Sequence, residues 1–231
     1  VNASTAYTKS TYSGLTFTAA GGWYIFDGDT RPLLRSSLEG FVSGSTYTVN
    51  SAEALQLIGM HAAENATSGK TYILASDIDF TATPPSASGV WKTTTVGGAM
   101  GYNFVPIGNY VVGESFYGTF DGRGHVIKGL TIDRTSDAGL FGSTGYGGSG
   151  ATIKNIGLVG GTVTGVGKVG SLVANLRGGS ITNAFSTITV NGSGSNSHTG
   201  GLVGLAQVSA AITNAYATGA VTGGGSTVGG L

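Results

Sequence analysis

The sequence predicts an all-β fold: a right-handed parallel β-helix (a solenoid of stacked coils) with one short capping helix near residues 50–62. Three observations predict it. First, three phrases return in fixed order. A Leu-centred phrase occurs as GLFG at Gly139, GSLVA at Gly170, GGLVG at Gly200 and GGL at Gly229. An Ile-x-Asn phrase occurs at Ile153–Asn155, Ile181–Asn183 and Ile212–Asn214, and a Val-x-Gly phrase at Val163–Gly165, Val190–Gly192 and Val221–Gly223. Second, from Ala138 to Leu231 there is no Asp or Glu, and Gly, Thr and Val dominate without helical spacing. Third, a single stretch, VNSAEALQLIGM, carries helix signals.

Residues 1–45 read as a β-rich end segment of a preceding module or a cap, with turns at Ser13–Leu15, Gly21–Gly22 and DGDTRP. Trp23, Tyr24 and Phe26 are placed to cover the end of a solenoid. Residues 46–115 hold the capping helix, the first strands and long loops. Asn50 stands as N-cap with Glu53 three residues on, a capping-box spacing, and Leu55, Ile58 and Ala62 fall on one face. In KTYILASDIDF the residues alternate: Ile73, Ala75, Asp77 and Asp79 on one side, Leu74, Ser76, Ile78 and Phe80 on the other. The excursion TATPPSASGVWKTTTVGGAMGY follows, with Pro84-Pro85 excluding an interior strand. That excursion and the loop Gly108–Gly118 are the candidate contact surface, with Tyr110, Phe116 and Tyr117 its candidate residues. The competing expectation is that these aromatics cover the coil beneath.

Residues 116–231 are the repeats. With Ile127 as a looser first copy, successive Ile anchors lie 26, 28 and 31 residues apart. Each period holds three short β-prone stretches between turns, one coil, its strands pairing with the next coil about 4.8 Å along the axis. Ile153, Ile181 and Ile212 form one inward ladder, and Val163, Val190 and Val221 another. Asn155, Asn183 and Asn214 are expected to stack, buried, at a corner, each amide bonding to the coil above and below. Phe185 and Tyr216 occupy matching places. A disordered Gly-rich tract would not keep three anchors in order, and propeller blades are longer.

Composition excludes several functions. Charged residues are 10% of the chain against roughly 25% in ordinary domains, and the net charge is zero. Neither nucleic acid nor an anionic membrane surface is therefore an expected partner. No apolar run approaches the ~20 residues of a membrane-spanning helix. There is no Cys, so no disulfide or thiolate metal site. Asp77, Asp79 and Asp121 are the carboxylates available for glycan cleavage or calcium, but their settings read as an outer strand face and a turn. His61, His125 and His198 are scattered. Gly145–Gly150 and Gly165–Gly170 match Gly-x-Gly-x-x-Gly but open no helix. Sequons begin at Asn2, Asn65 and Asn191. No catalytic residue, cofactor site or metal site is assigned.

The phrases GGLVG…ITNAYATGAVTG resemble the GLUG repeat of large bacterial exoproteins, among them filamentous-haemagglutinin-type adhesins and the N-terminal region of some immunoglobulin A1 proteases. NFVPIGN at Asn103 and FYGTFDGRGHVIKGLTI at Phe116 resemble the segment leading into such repeats; TYSGLTFTAAGGWYIFDGDTRPLLRS at Thr11 resembles one that follows them. The resemblance implies a piece of a longer modular array, secreted or displayed at a bacterial cell surface in association with the outer membrane. Its role would be that of a rigid, non-enzymatic rod carrying binding loops. Implied partners are a surface glycan or protein on a host or neighbouring cell, or further copies in a fibre. The alternatives are a polysaccharide-acting β-helix enzyme and the non-catalytic arm of a secreted protease.

Overall fold

A computed structural model of the chain describes residues 5–81, 89–96, 99–111, 113–145, 150–195, 197–225 and 227–231. Pro84-Pro85, Asn2 and most of Gly145–Gly150 lie outside the described residues. Four stacks of parallel strands run along the molecule and make it a β-helix.

The first stack comprises Thr46–Val49, Thr71–Leu74, Thr119–Asp121, the first part of Ala151–Gly165, Gly179–Ser186 and Ala211–Ala217. Register places Tyr47, Tyr72, Phe120, Ile153, Ile181 and Ile212 at one position in successive strands. The ladder thus begins aromatic and ends aliphatic. The second stack joins Ile78–Asp79, Val126–Asp133, the second part of Ala151–Gly165, Thr189–Gly192 and Val221–Gly223. Here Ile132, Val163, Val190 and Val221 align. Each fully buried side chain of this kind stabilises by about 1.5–3 kcal/mol.

The coil has four strand segments where three are expected from the sequence. The Leu-centred phrase breaks into two. Lys168–Gly170, His198–Gly200 and Thr227–Gly229 form the third stack. Phe141–Thr144, Val173–Arg177 and Val203–Gln207 form the fourth. Leu140, Leu172 and Leu202 fill the corner between them and are fully buried. The backbone turns so sharply there that a Cβ at Gly170 would lie 2.5 Å from the Val173 carbonyl oxygen.

The predicted helix is α2, Ala52–Ala63, preceded by the single-turn α1, Ser36–Glu39. The N-cap of α2 is Ser51, one residue beyond Asn50: Ser51 is extended (φ −151°) and its Oγ accepts the Ala54 N–H at 3.1 Å. Residues 54–62 are all buried, not just one face. Helix α2 is sandwiched between the first coil and the segments that wrap over it. Gly59 leaves room for the Phe26 ring, which meets Tyr24 edge-on at 5.0 Å. Buried Gln56 is fully engaged, donating to Val105 O at 2.9 Å and accepting from Trp91 Nε1 at 2.9 Å and Val105 N at 3.0 Å. Arg35, also buried, clamps α1 to the end of α2 through Glu39 (3.0 Å) and Glu64 (2.6 Å). One apolar core extends from Leu33 to Val203 through all three sequence segments.

Candidate functional site

Two surfaces gather the residues singled out from the sequence. At the first corner of the coil, Asn155, Asn183 and Asn214 adopt left-handed backbone (φ 55°, 54° and 51°). An extended residue two places after inward Ile would also point inward. The left-handed bend turns the amide outward instead: Asn183 and Asn214 are exposed and Asn155 half-buried, where a buried ladder was expected. It is continuous: Asn214 Nδ2 donates to Asn183 Oδ1 (3.2 Å), Asn183 Nδ2 to Asn155 Oδ1 (3.0 Å), and Asn155 Nδ2 to Asp121 Oδ1 (2.9 Å). Asp121 heads the row. Its partial burial works to raise its pKa, but Asn155, the Arg123 N–H and Lys154 at 3.4 Å outweigh that and hold the carboxyl below its ordinary value. Beside the ladder Phe185 and Tyr216 stack at 5.5 Å, 13° from parallel, in register with Gly157. A shallow groove of about 450 Å³ runs past Asp121, Asn155, Asn183 and Phe185.

The second surface is the loop Gly108–Gly118, whose three aromatics separate. Tyr110 is 55% exposed. Phe116 is fully buried and leaves the contact surface: it pairs with Thr144 at the edge of the fourth stack and packs on Phe141 (4.9 Å) and Tyr72 (5.7 Å). Tyr117 is half-buried, its N–H donating to Thr67 Oγ1 at 3.0 Å. The Tyr110 ring lies 4.7 Å from the Arg177 guanidinium and 5.4 Å from Lys168 Nζ. A cleft of about 390 Å³ opens beside it, lined also by Pro106, Arg134, Ser136 and Asp137. Sequence reasoning left out these four lining residues, and Lys168 and Arg177 with them. For the last two a signal was available: they are two of only three Lys/Arg residues after residue 137.

The remaining candidates hold the fold. Asp77 accepts the Val126 N–H at 3.1 Å and pairs with Lys128 (3.2 Å) and His125 (3.3 Å). The Val126 N–H, then Lys128, hold its carboxyl below the ordinary value. Asp79 closes a turn on Thr81 through its N–H (2.7 Å) and hydroxyl (2.6 Å). His61 is buried between Tyr72 OH (2.8 Å) and Glu39 (3.4 Å). His198 is half-buried on the third stack. Asn65 is exposed just past α2, and Asn191 is half-buried. Gly165–Gly170 runs from one strand end through a bend into Lys168–Gly170. Among the described residues no three His, Asp or Glu converge as metal ligands, and no helix is long and apolar enough to cross a membrane.

No family model matches the sequence. The chain is similar to Halomucin of Haloquadratum walsbyi, 36% identical over 162 residues. That stretch is 69% of this chain and only 2% of Halomucin. Among solved structures, a Bacteroides ovatus protein provisionally assigned as an immunoglobulin A1 protease aligns at 19% identity and a TM-score of 0.45. That alignment covers 79% of this chain and 62% of the other. The Halomucin likeness and the solenoid together are compatible with a structural segment of a large surface protein.

Proposed function

We propose that this chain is a non-enzymatic structural segment of a large surface or secreted protein, a stiff β-helical rod of the GLUG-repeat kind that holds binding loops away from its anchor. The observation that supports this most is the unbroken register of like over like through Ile153, Ile181 and Ile212 and through Val163, Val190 and Val221. Strand pairing along the axis resists bending and shear, and insertions between strands leave it intact. Similarity to a small part of a very long protein fits a segment. Asp77 is tied to the strand Val126–Asp133, Asp79 closes a turn and Asp121 heads the corner ladder, which favours structural over catalytic roles.

Small-angle X-ray scattering on the 231-residue chain, and on a version with the coil Gly179–Gln207 duplicated, tests the rod. The maximum dimension should grow by about one coil rise, ~5 Å, at unchanged cross-section. A broadened cross-section would overturn it. Antibody labelling of intact source cells tests display, and release of short products from polysaccharide incubated with the chain would overturn the non-enzymatic assignment.

A further inference from the structure

We propose that the cleft beside Tyr110 binds an uncharged pyranose unit of a glycan, with Tyr110 as its stacking platform. This goes beyond the rod and does not depend on it. The loop that carries Tyr110 is closed on itself. Asn109 N–H donates to Glu114 O (3.1 Å), Glu114 N–H to Val111 O (3.0 Å), and Val111 N–H to Asn109 Oδ1 (2.7 Å). Ser115 Oγ donates to Asn109 O (2.9 Å) and lies 3.2 Å from Ser143 Oγ, tying the loop to the coil. Arg177 and Lys168 brace the ring. An aromatic held out in water on a pinned loop loses little freedom when it is covered, so its burial is available for binding.

The cleft's size falls within the range of small-ligand sites, which are mainly apolar with a few placed polar groups. Val105, Pro106 and Tyr110 supply the apolar part; Arg134, Ser136 and Asp137 supply the polar part. A pyranose divides the same way, with C–H faces and a hydroxyl rim. Arg134 is held by Asp29 (2.7 Å) and Phe104 O (3.1 Å), leaving its Nε with no acceptor among the described residues. Asp137 Oδ1 takes the Lys168 N–H (2.8 Å), while Oδ2 has only a 3.5 Å contact with Lys168 Nζ and keeps acceptor capacity. The Arg134 guanidinium and the Asp137 carboxylate, each anchored, thus line the cleft beside an aromatic ring.

Charge selects the class of sugar. Around the cleft Arg134, Lys168 and Arg177 are matched by Asp29, Glu114 and Asp137. With no surplus of either sign, nothing rewards a uronate, a sulfated sugar or an amine.

The test uses the full chain and saturation-transfer NMR with maltotetraose, cellotetraose, mannotetraose and, as the acidic arm, tetragalacturonate. Retention on starch, cellulose and mannan distinguishes a polymer source from free oligosaccharide. At least one neutral tetrasaccharide should bind. Tyr110→Ala should weaken it about tenfold, equivalent to ~1.4 kcal/mol, Tyr110→Phe should stay within about threefold, and Phe185→Ala at the other surface should change nothing. Tyr110 is exposed, so unchanged thermal midpoints are expected and keep the comparison interpretable. Failure of every neutral sugar, binding by tetragalacturonate alone, or full binding by Tyr110→Ala would overturn the proposal. The scattering experiment stands or falls separately.

Discussion

Asn183 is held by two separate effects, and substitution separates them. It sits in left-handed backbone and passes the amide chain from Asn214 to Asn155. Alanine loses both: the backbone penalty is about 1–2 kcal/mol, and exposed hydrogen bonds add a smaller amount. Asn183→Ala should therefore lower unfolding free energy by about 1–2 kcal/mol in urea titration. Asn183→Gly, which keeps the backbone, should lose less than half of that; equal losses would mean that the ladder dominates. The recurrence of these Asn residues was legible because they return with Ile two residues before. Their exposure was not legible, because a period of two carries no sign of a left-handed bend. His61 offers a second test. Burial, then the charge of Lys70, hold its imidazole below the ordinary value, against the opposing pull of Glu39 and Glu64. A lowered folded-state pKa means that the unfolded chain takes up the proton more readily. Stability from this group is complete above the unfolded value near ~6.5 and declines as pH falls below it. The urea midpoint should drop between pH 7.5 and pH 5, and His61→Gln should flatten that slope. A flat or rising midpoint in the parent toward acid would contradict the assignment.

Among the elements, Ala151–Gly165 shows how one strand serves two stacks. Gly160 and Gly161, at φ 62° and 91°, let it bend from the first stack into the second. The two neighbours make a controlled comparison. A Cβ at Gly160 meets nothing, whereas one at Gly161 would lie 2.2 Å from the Leu130 carbonyl oxygen. Gly160→Ala should cost about 1–2 kcal/mol, the backbone term alone. Gly161→Ala should cost about 3 kcal/mol or more, because the neighbouring coil must shift; thermal unfolding of the pair checks the difference. The Ile and Val strands were readable from alternating apolar residues. The third stack was missed because three residues such as Lys168–Gly170 contain too little alternation to identify a strand. The helix was readable from its periodicity, but its all-round burial was not. That depends on Tyr24, Phe26 and Trp91 arriving from distant parts of the chain. Tyr110 was picked out by its place in a long loop, and the same reasoning wrongly included Phe116. Nothing local distinguishes an aromatic that points into a stack from one six residues away that points into water.

In the whole molecule, protection should follow position along the axis. Strands of the middle coils pair on both sides, while Ala211–Ala217, Val221–Gly223 and Thr227–Gly229 pair on one side and are largely exposed in this 231-residue chain. Native-state hydrogen exchange should therefore release amides first in those strands and last around Tyr72 and Phe120. Uniform release would instead mean that the coils open as one cooperative unit. The same coils carry another property. From Gly178 to Leu231 the chain contains no Lys, Arg, Asp or Glu, and the described ion pairs involve no residue beyond Lys168. Ionic strength acts by screening charges, and here it finds almost nothing to screen. A stalk lengthened by further coils of this composition would not be a polyelectrolyte. It would neither swell in dilute water nor shrink in brine, so its reach would be the same in both.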